Sequence, residues 1–383
     1  EVFKTFLLSS GRLHGKPLKT TVVAALDVAS NRNIIKLTRL LTKIINSRFF
    51  RGDFYMQALG APFKTWSDGA VTPLAEEIPE LRALNETDLE DVEARQKILR
   101  DPDYIKQFRA MWLKGKTGFN LARLRRWLRL EDYAFDRDFN NMTVDLCPLE
   151  AWQGRTFQAL FERVLEIKRG GEPNELGAEE RALVERDFYW VSDEADFMLQ
   201  ILRSFDTKIS WYTVTANRDM KTVRRLLMDP SLLPGFNDSG AHLTNMAFYD
   251  VNLRSLKLAA EGGEQDVTYM VKRLTKDAAD VFNVDRGTIY IDDVADLILV
   301  DPKQLTQYDG EANVTRVFRE EYQHPQLVNR SDDVVPYVFI QGQVAWRGAE
   351  FTPELGQVKM GQLLRPRHSV QEPVQDSGRV KAA

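Results

Sequence analysis

The strongest constraint on the fold is a repeated pairing of a short β-rich run with an amphipathic helical stretch. Thr20-Thr21-Val22-Val23-Ala24-Ala25-Leu26 is an apolar run that reads as a buried strand. The stretch after it sets Leu37, Leu40, Leu41, Ile44 and Ile45 at i, i+3, i+4, i+7, i+8 spacing, the stripe of a helix that faces a core. Phe54–Leu59, Met142–Leu146, Ile209–Val214 and Leu232–Asn237 are four further candidate strands. A helical pattern follows the third strand, with Phe157, Leu160, Phe161, Val164 and Leu165 inward. Another follows the fourth, with Met220, Val223, Leu226 and Leu227 inward. Strand then helix, repeated, predicts an α/β fold with a parallel sheet and helices outside. The pattern fits an open sheet and a barrel equally.

A charged helical insertion of about residues 74–139 interrupts this series. It opens acidic and closes basic, with Arg123, Arg125, Arg126 and Arg129 around Trp127. Such charge predicts a solvated helical subdomain over one mouth of the sheet. A second reading of Leu121–Leu130 is a basic amphipathic helix for a membrane surface or a partner. After residue 283 the runs Gly287–Ile291, Ala295–Val300, Val335–Ile340 and Gln343–Trp346 read as strands without long helices between them. Gln341-Gly342 is the natural turn between the last two. The expected division is therefore 1–283, a small β unit at 284–365, and a disordered tail at 366–383.

Composition narrows the function. The 383 residues carry 52 Lys+Arg against 56 Asp+Glu, a net charge of −4 that argues against a dedicated nucleic-acid binder. No run of about 18 apolar residues occurs, so no membrane span is expected. The single cysteine, Cys147, excludes an intramolecular disulfide framework and a cysteine-rich zinc module. It reads as a buried small hydrophobe and fits a cytoplasmic location. His14, His242, His324 and His368 are scattered, so this chain does not build a site from clustered imidazoles.

Chemistry concentrates in Leu233-Pro234-Gly235-Phe236-Asn237-Asp238-Ser239-Gly240-Ala241-His242. A strand ends in a carboxylate, then small residues, then an imidazole. At the carboxyl end of a barrel strand, Asp238 would hold a metal and take a proton from water. Gly240 and Ala241 would let the chain turn beside a substrate. The competing reading is an Asp-Ser-Gly turn in which Asp238 caps its own backbone.

Asn237-Asp238-Ser239-Gly240-Ala241-His242 resembles the "SD-x-GAH" segment of the N-acyl-D-amino-acid deacylases of the amidohydrolase superfamily. Other stretches follow in that family's order. Asn217–Pro230 resembles the helix that leads to that strand. Leu274–Ala279 resembles its "LT-x-x-PA" helix, and Asp285–Ile289 with Ala295–Pro302 its return into a β-sandwich. Val338–Gly348 resembles its closing hairpin. The resemblance implies a partial TIM-like barrel of late strands with a small β-sandwich unit. It implies a zinc-dependent hydrolase of linear amides, acting on an N-acyl amino acid; a homo-oligomer is a further expectation. Asp238 matches the aspartate that contacts the metal and acts as general base. His242 matches the histidine just after it, and Asn217, Arg218, Ser239 and Gly240 fall where the substrate would lie. The family's His-x-His is absent, and Ala24-Ala25 stands where many relatives carry Ser-His. These departures lead to the expectation of a carboxy-terminal portion, inactive alone, with most metal ligands outside the chain. The alternative is a non-catalytic relative that works as a scaffold through oligomer contacts.

Overall fold

The computed structural model describes Lys4, residues 7–131 and residues 133–367. His368 and the expected tail from residue 368 onward lie outside the described residues. The chain divides into two compact units, Glu1–Gly263 with Asp309–Ser331 and Glu264–Tyr308 with Asp332–Ala383. This differs from the expected boundary at residue 283, because the second unit starts two helices earlier and a hairpin returns to the first.

In the first unit the elements run β1 (Thr20–Ala25), α1 (Asn33–Ile45), β2 (Phe54–Ala58), β3 (Phe63–Asp68), α2 (Pro79–Asn85), α3 (Val92–Arg100), α4 (Pro102–Trp112) and α5 (Leu121–Trp127). They continue with β4 (Met142–Leu146), α6 (Phe157–Lys168), α7 (Ala178–Asp187), α8 (Glu194–Phe205), β5 (Ser210–Ala216), α9 (Met220–Leu227), β6 (Leu233–Pro234) and α10 (Val251–Ala260). Helix starts follow local chemistry. Asp101 caps α4 by accepting from the Asp103 N–H, and Pro102 sits at the first turn, where its missing N–H costs nothing.

Strands β1, β2 and β6 form one parallel sheet in the order β1-β2-β6. The fifth expected strand shrinks to Leu233-Pro234, because Pro234 has no N–H to extend a ladder. Strands β3, β5 and β4 form a separate antiparallel sheet in the order β3-β5-β4. The expectation of one parallel sheet holding all five strands is therefore corrected. The connection from β4 to β5 carries three helices, so its length leaves the strand direction free. The fold is mixed α/β with small sheets, and no sheet closes into a barrel among the described residues.

The insertion is also more than a solvated cap. Leu81, Leu84, Leu99, Phe108 and Trp112 from α2–α4 share one buried cluster with Phe157, Phe197 and Trp211. Its rings meet at 5.5–6.4 Å, as between Phe108 and Trp112 at 5.5 Å and Phe157 and Trp211 at 5.7 Å. Most charged side chains of these helices face outward, and Arg95 of α3 is buried. The stripe expected on α1 faces inward only in part, with Ile45 buried and Leu41 half-buried. Ile35, Thr42 and Ile45 are buried while Leu37, Leu40 and Ile44 are exposed. An apolar stripe states which face avoids water, not whether anything covers it.

The second unit holds α11 (Glu264–Lys272), α12 (Ala278–Phe282), β7 (Leu297–Leu299), α13 (Pro302–Gln307), and, after the excursion to the first unit, β10 (Tyr337–Ile340), β11 (Gln343–Arg347) and β12 (Glu350–Phe351). Its sheet is antiparallel in the order β12-β11-β10-β7. Gln341 and Gly342 turn the β10–β11 hairpin with φ of 50° and 79°, the mirror-image turn that suits hairpin twist. Gly287–Ile291 is not a strand, and Ile289, Tyr290 and Ile291 are exposed. The hairpin β8 (Val314–Arg319) and β9 (His324–Asn329) belongs to the first unit.

Asp68, at the end of β3, yields a pH prediction. Burial raises its carboxyl above the ordinary range, against the lowering effects of Arg316, His324 and a hydrogen bond to Ser210. The folded state thus holds this proton more tightly than the unfolded chain. That contribution favours folding at low pH and is lost as pH rises from the ordinary carboxylate range through the raised value. Asp68→Asn should match wild type near about pH 4 and gain on it toward about pH 7. Thermal melts across that window check it, and a gap that narrows with rising pH would contradict it.

Candidate functional site

The site is built where the segments after the parallel strands β1, β2 and β6 meet β3 and the end of β5. Asn217, just after β5, is fully buried with φ 59°. Its N–H donates to the Asp27 carbonyl at 2.9 Å, and its Oδ1 accepts from the Asp27 N–H at 3.0 Å. Its Nδ2 donates to the carbonyls of Leu59 at 3.1 Å and Ala61 at 3.0 Å. One side chain thereby ties the segments after β1 and β2 to the end of β5. Asn217 matched a substrate-contact position in the sequence, but its polar atoms are spent on backbone.

After β6 the chain is held by the Gly235 N–H donating to the Ala58 carbonyl at 3.1 Å. Asn237 Oδ1 accepts from the Ser239 N–H at 2.9 Å, an Asx turn. The turn expected of Asp238 is thus made by its neighbour. Asp238 takes a left-handed φ of 57°, and its carbonyl accepts from the N–H groups of Ala241 at 3.1 Å and His242 at 3.3 Å. That turn sets His242 Nε2 at 3.7 Å from Asp238 Oδ2. No other side-chain partner of the Asp238 carboxylate is found among the described residues. The His242 carbonyl accepts from the Met246 N–H at 3.0 Å, and Asn245 Nδ2 donates to the Trp66 carbonyl at 3.1 Å, which anchors the loop to β3.

Ser239 is buried, its hydroxyl accepting from the Phe248 N–H at 2.6 Å and its carbonyl from the Tyr249 hydroxyl at 3.1 Å. It holds the loop shut and presents no free group to a substrate. Gly240 is exposed, and a Cβ there would meet nothing within 4 Å, so close approach does not require glycine.

Asp238 and His242 line a cavity of about 360 Å³ in the first unit. Leu26, Val28, Phe63, Phe236 and Met246 give it apolar walls, and Glu76, Glu77 and Thr65 add polar groups. Phe63 and Phe236 stack at 6.0 Å. Thr65 is buried, and its hydroxyl has no hydrogen-bond partner among the described residues. Sequence reasoning missed Thr65, because a lone threonine in a strand carries no signal until its unpaired hydroxyl is seen. Glu77 accepts from the N–H groups of Ala134 at 2.9 Å and Phe135 at 3.4 Å.

Arg218 does not join this cavity. It pairs with Asp136 at 2.9 Å, donates from Nε to the Val214 carbonyl at 2.7 Å, and lines a second cavity of about 520 Å³ with Arg32, Lys36, Arg129 and Arg225. Arg218 lies beyond the end of β5, after the left-handed turn at Asn217, so Ala216 lines one cavity and Arg218 the other.

Among the described residues, no three His, Cys, Asp or Glu side chains are placed to hold a metal ion. Asp238 and His242 supply at most two of the four ligands of a tetrahedral site, so these residues do not hold zinc by themselves.

Cys147 follows β4 and is buried. Burial pushes its thiol up to about 11. Alkylation of the native protein near pH 8 should be at least about 100-fold slower than in urea. Equal rates would show that Cys147 is accessible.

No helix among the described residues is long and apolar enough to cross a membrane. No family model and no solved structure matches the chain. It is similar to uncharacterized proteins of Mycobacterium bovis and Mycobacterium tuberculosis, each 28% identical over 373 residues, covering 94% of this chain and 54% of the relative. The chain spans about half the length of the curated relatives it matches.

Proposed function

We propose that this chain is part of an amidohydrolase that cleaves a linear amide, an N-acyl amino acid in its nearest chemical form. The observation that carries the reading is the Asp238 carboxylate, left unspent by the turn around it and facing a half-apolar cavity. In this reading β1, β2 and β6 are late strands of a TIM-like barrel, and the four-stranded sheet is part of a β-sandwich. Asp238 takes a proton from the attacking water. The new C–O bond forms, the C–N bond breaks, and Asp238 returns the proton to the leaving amine. His242 steadies the carboxylate. The Thr65 hydroxyl, buried in the cavity wall and without a hydrogen-bond partner among the described residues, would reach a substrate carbonyl after a small rotation. The apolar walls receive the acyl chain. A zinc ion belongs to this proposal as a group whose remaining ligands come from outside the described residues, and the reaction is placed in the cytoplasm.

The exposed Leu37, Leu40 and Ile44 of α1 favour a second reading, a non-catalytic scaffold that works through oligomer contacts. The coding DNA upstream of Glu1 separates the two. An in-frame His-x-His after a strand supports the hydrolase, and a start codon immediately before Glu1 supports the scaffold. The 383-residue chain alone should show no amide hydrolysis with added zinc, and robust turnover by it would overturn the view that ligands are missing.

A further inference from the structure

The insertion presents a surface that the hydrolase reading does not use. Asn120 caps α5 through the Arg123 N–H, and no residue of that helix is buried. Leu121 is 72% exposed, Trp127 78%, and the preceding Phe119 fully so, with Leu124 and Leu128 also open. Monomeric proteins seldom leave five large apolar side chains open within ten residues. At roughly 100° per residue, Trp127, Leu124, Leu128 and Leu121 fall on an arc of about 120°. Arg123 lies at one margin of that arc and Arg125 at the other, and exposed Arg129 follows the helix. Arg126 points elsewhere and pairs with Glu131 at 3.2 Å, which fixes the helix to its own subdomain.

An apolar arc with arginines at its margins is the arrangement of a helix lying in a membrane interface. Rings and leucines enter the acyl boundary, and guanidinium groups meet phosphate and carboxylate headgroups. The opposite charge of the cytoplasmic leaflet makes an anionic bilayer the matching partner. We propose that Phe119–Arg129 docks this protein onto an anionic lipid surface. The segment is short, so the association is reversible and salt-sensitive.

The test is co-sedimentation of the protein with phosphatidylcholine vesicles, with and without phosphatidylserine. Wild type should bind only the phosphatidylserine vesicles and release in high salt. The R123Q/R125Q/R129Q variant should lose binding by on the order of 100-fold, about fivefold per arginine. The F119S/W127S variant should lose it as well, with circular dichroism and melting unchanged in both because none of these side chains is buried. No binding by wild type, binding retained by either variant, or a wild-type dimer that the F119S/W127S change dissolves would overturn the proposal.

Discussion

Asn217→Ala is expected to destabilise the first unit by about 3–5 kcal/mol, a fall in melting temperature on the order of 10 °C. Three side-chain hydrogen bonds are lost at once, from the Asp27 N–H and to the carbonyls of Leu59 and Ala61. All three backbone groups belong to buried or half-buried segments after strands, so they are left without partners at about 1–3 kcal/mol each where water does not replace them. Alanine also accepts the left-handed φ of 59° poorly, at a further cost of about 1 kcal/mol. Asn217→Gly removes that strain but not the lost bonds, so it should recover only a minor part. A residue that merely touched substrate would change KM and leave the melt in place. Thermal and urea unfolding of the three proteins distinguish the cases.

Arg95→Ala is expected to cost about 3–5 kcal/mol, because it leaves a buried carboxylate without its cation. Arg95 is fully buried, and its Nε and Nη2 donate to the two oxygens of Asp206 at 2.7 and 2.8 Å. The same guanidinium donates to Thr87 Oγ1 at 3.2 Å and to the carbonyls of Asp88 at 2.6 Å and Leu89 at 2.8 Å. The hydrogen bonds to Asp206 raise the Arg95 pKa despite burial. The pair joins α3 to the turn between α8 and β5, so it fixes the insertion against the aromatic core. That turn is tight. A Cβ at Gly69, whose φ is 58°, would lie 1.6 Å from the Asp206 carbonyl oxygen. Arg95→Met/Asp206→Asn should lose less than the sum of its single changes, because neither partner is left charged alone. Additive losses in a double-mutant cycle would show that the two side chains act independently.

Local features were legible in the sequence and long-range ones were not. The apolar runs at Thr20–Ala25, Phe54–Ala58, Met142–Leu146 and Ser210–Ala216 all became strands, and Phe157, Leu160 and Val164 turned inward on α6. The turn at Gln341-Gly342 followed from local backbone chemistry. The antiparallel pairing of β4 with β5 did not, because direction is set by where a long connection returns. The outward part of the stripe on α1 escaped for a related reason, since periodicity does not reveal the neighbour. Within the site, Asp238 and His242 came together four positions apart in one turn, which spacing alone suggests. Asn217 and Ser239 stand near them but serve the backbone, and Arg218 faces another cavity. Those outcomes depend on φ and on partners about 150–200 positions distant or across a loop, which a single sequence does not display.

The central claim is that Asp238 moves the proton in amide cleavage. It is tested most directly by hydrolysis of N-acyl amino acids by the longest protein whose reading frame contains this chain, wild type against Asp238→Asn. The side chain is partly exposed and bears no load in the turn, so the melt should not change. Loss of a general base predicts a fall in kcat of about 10²–10⁴-fold with KM little altered. Asp238→Asn retaining activity within about tenfold of wild type would contradict the account.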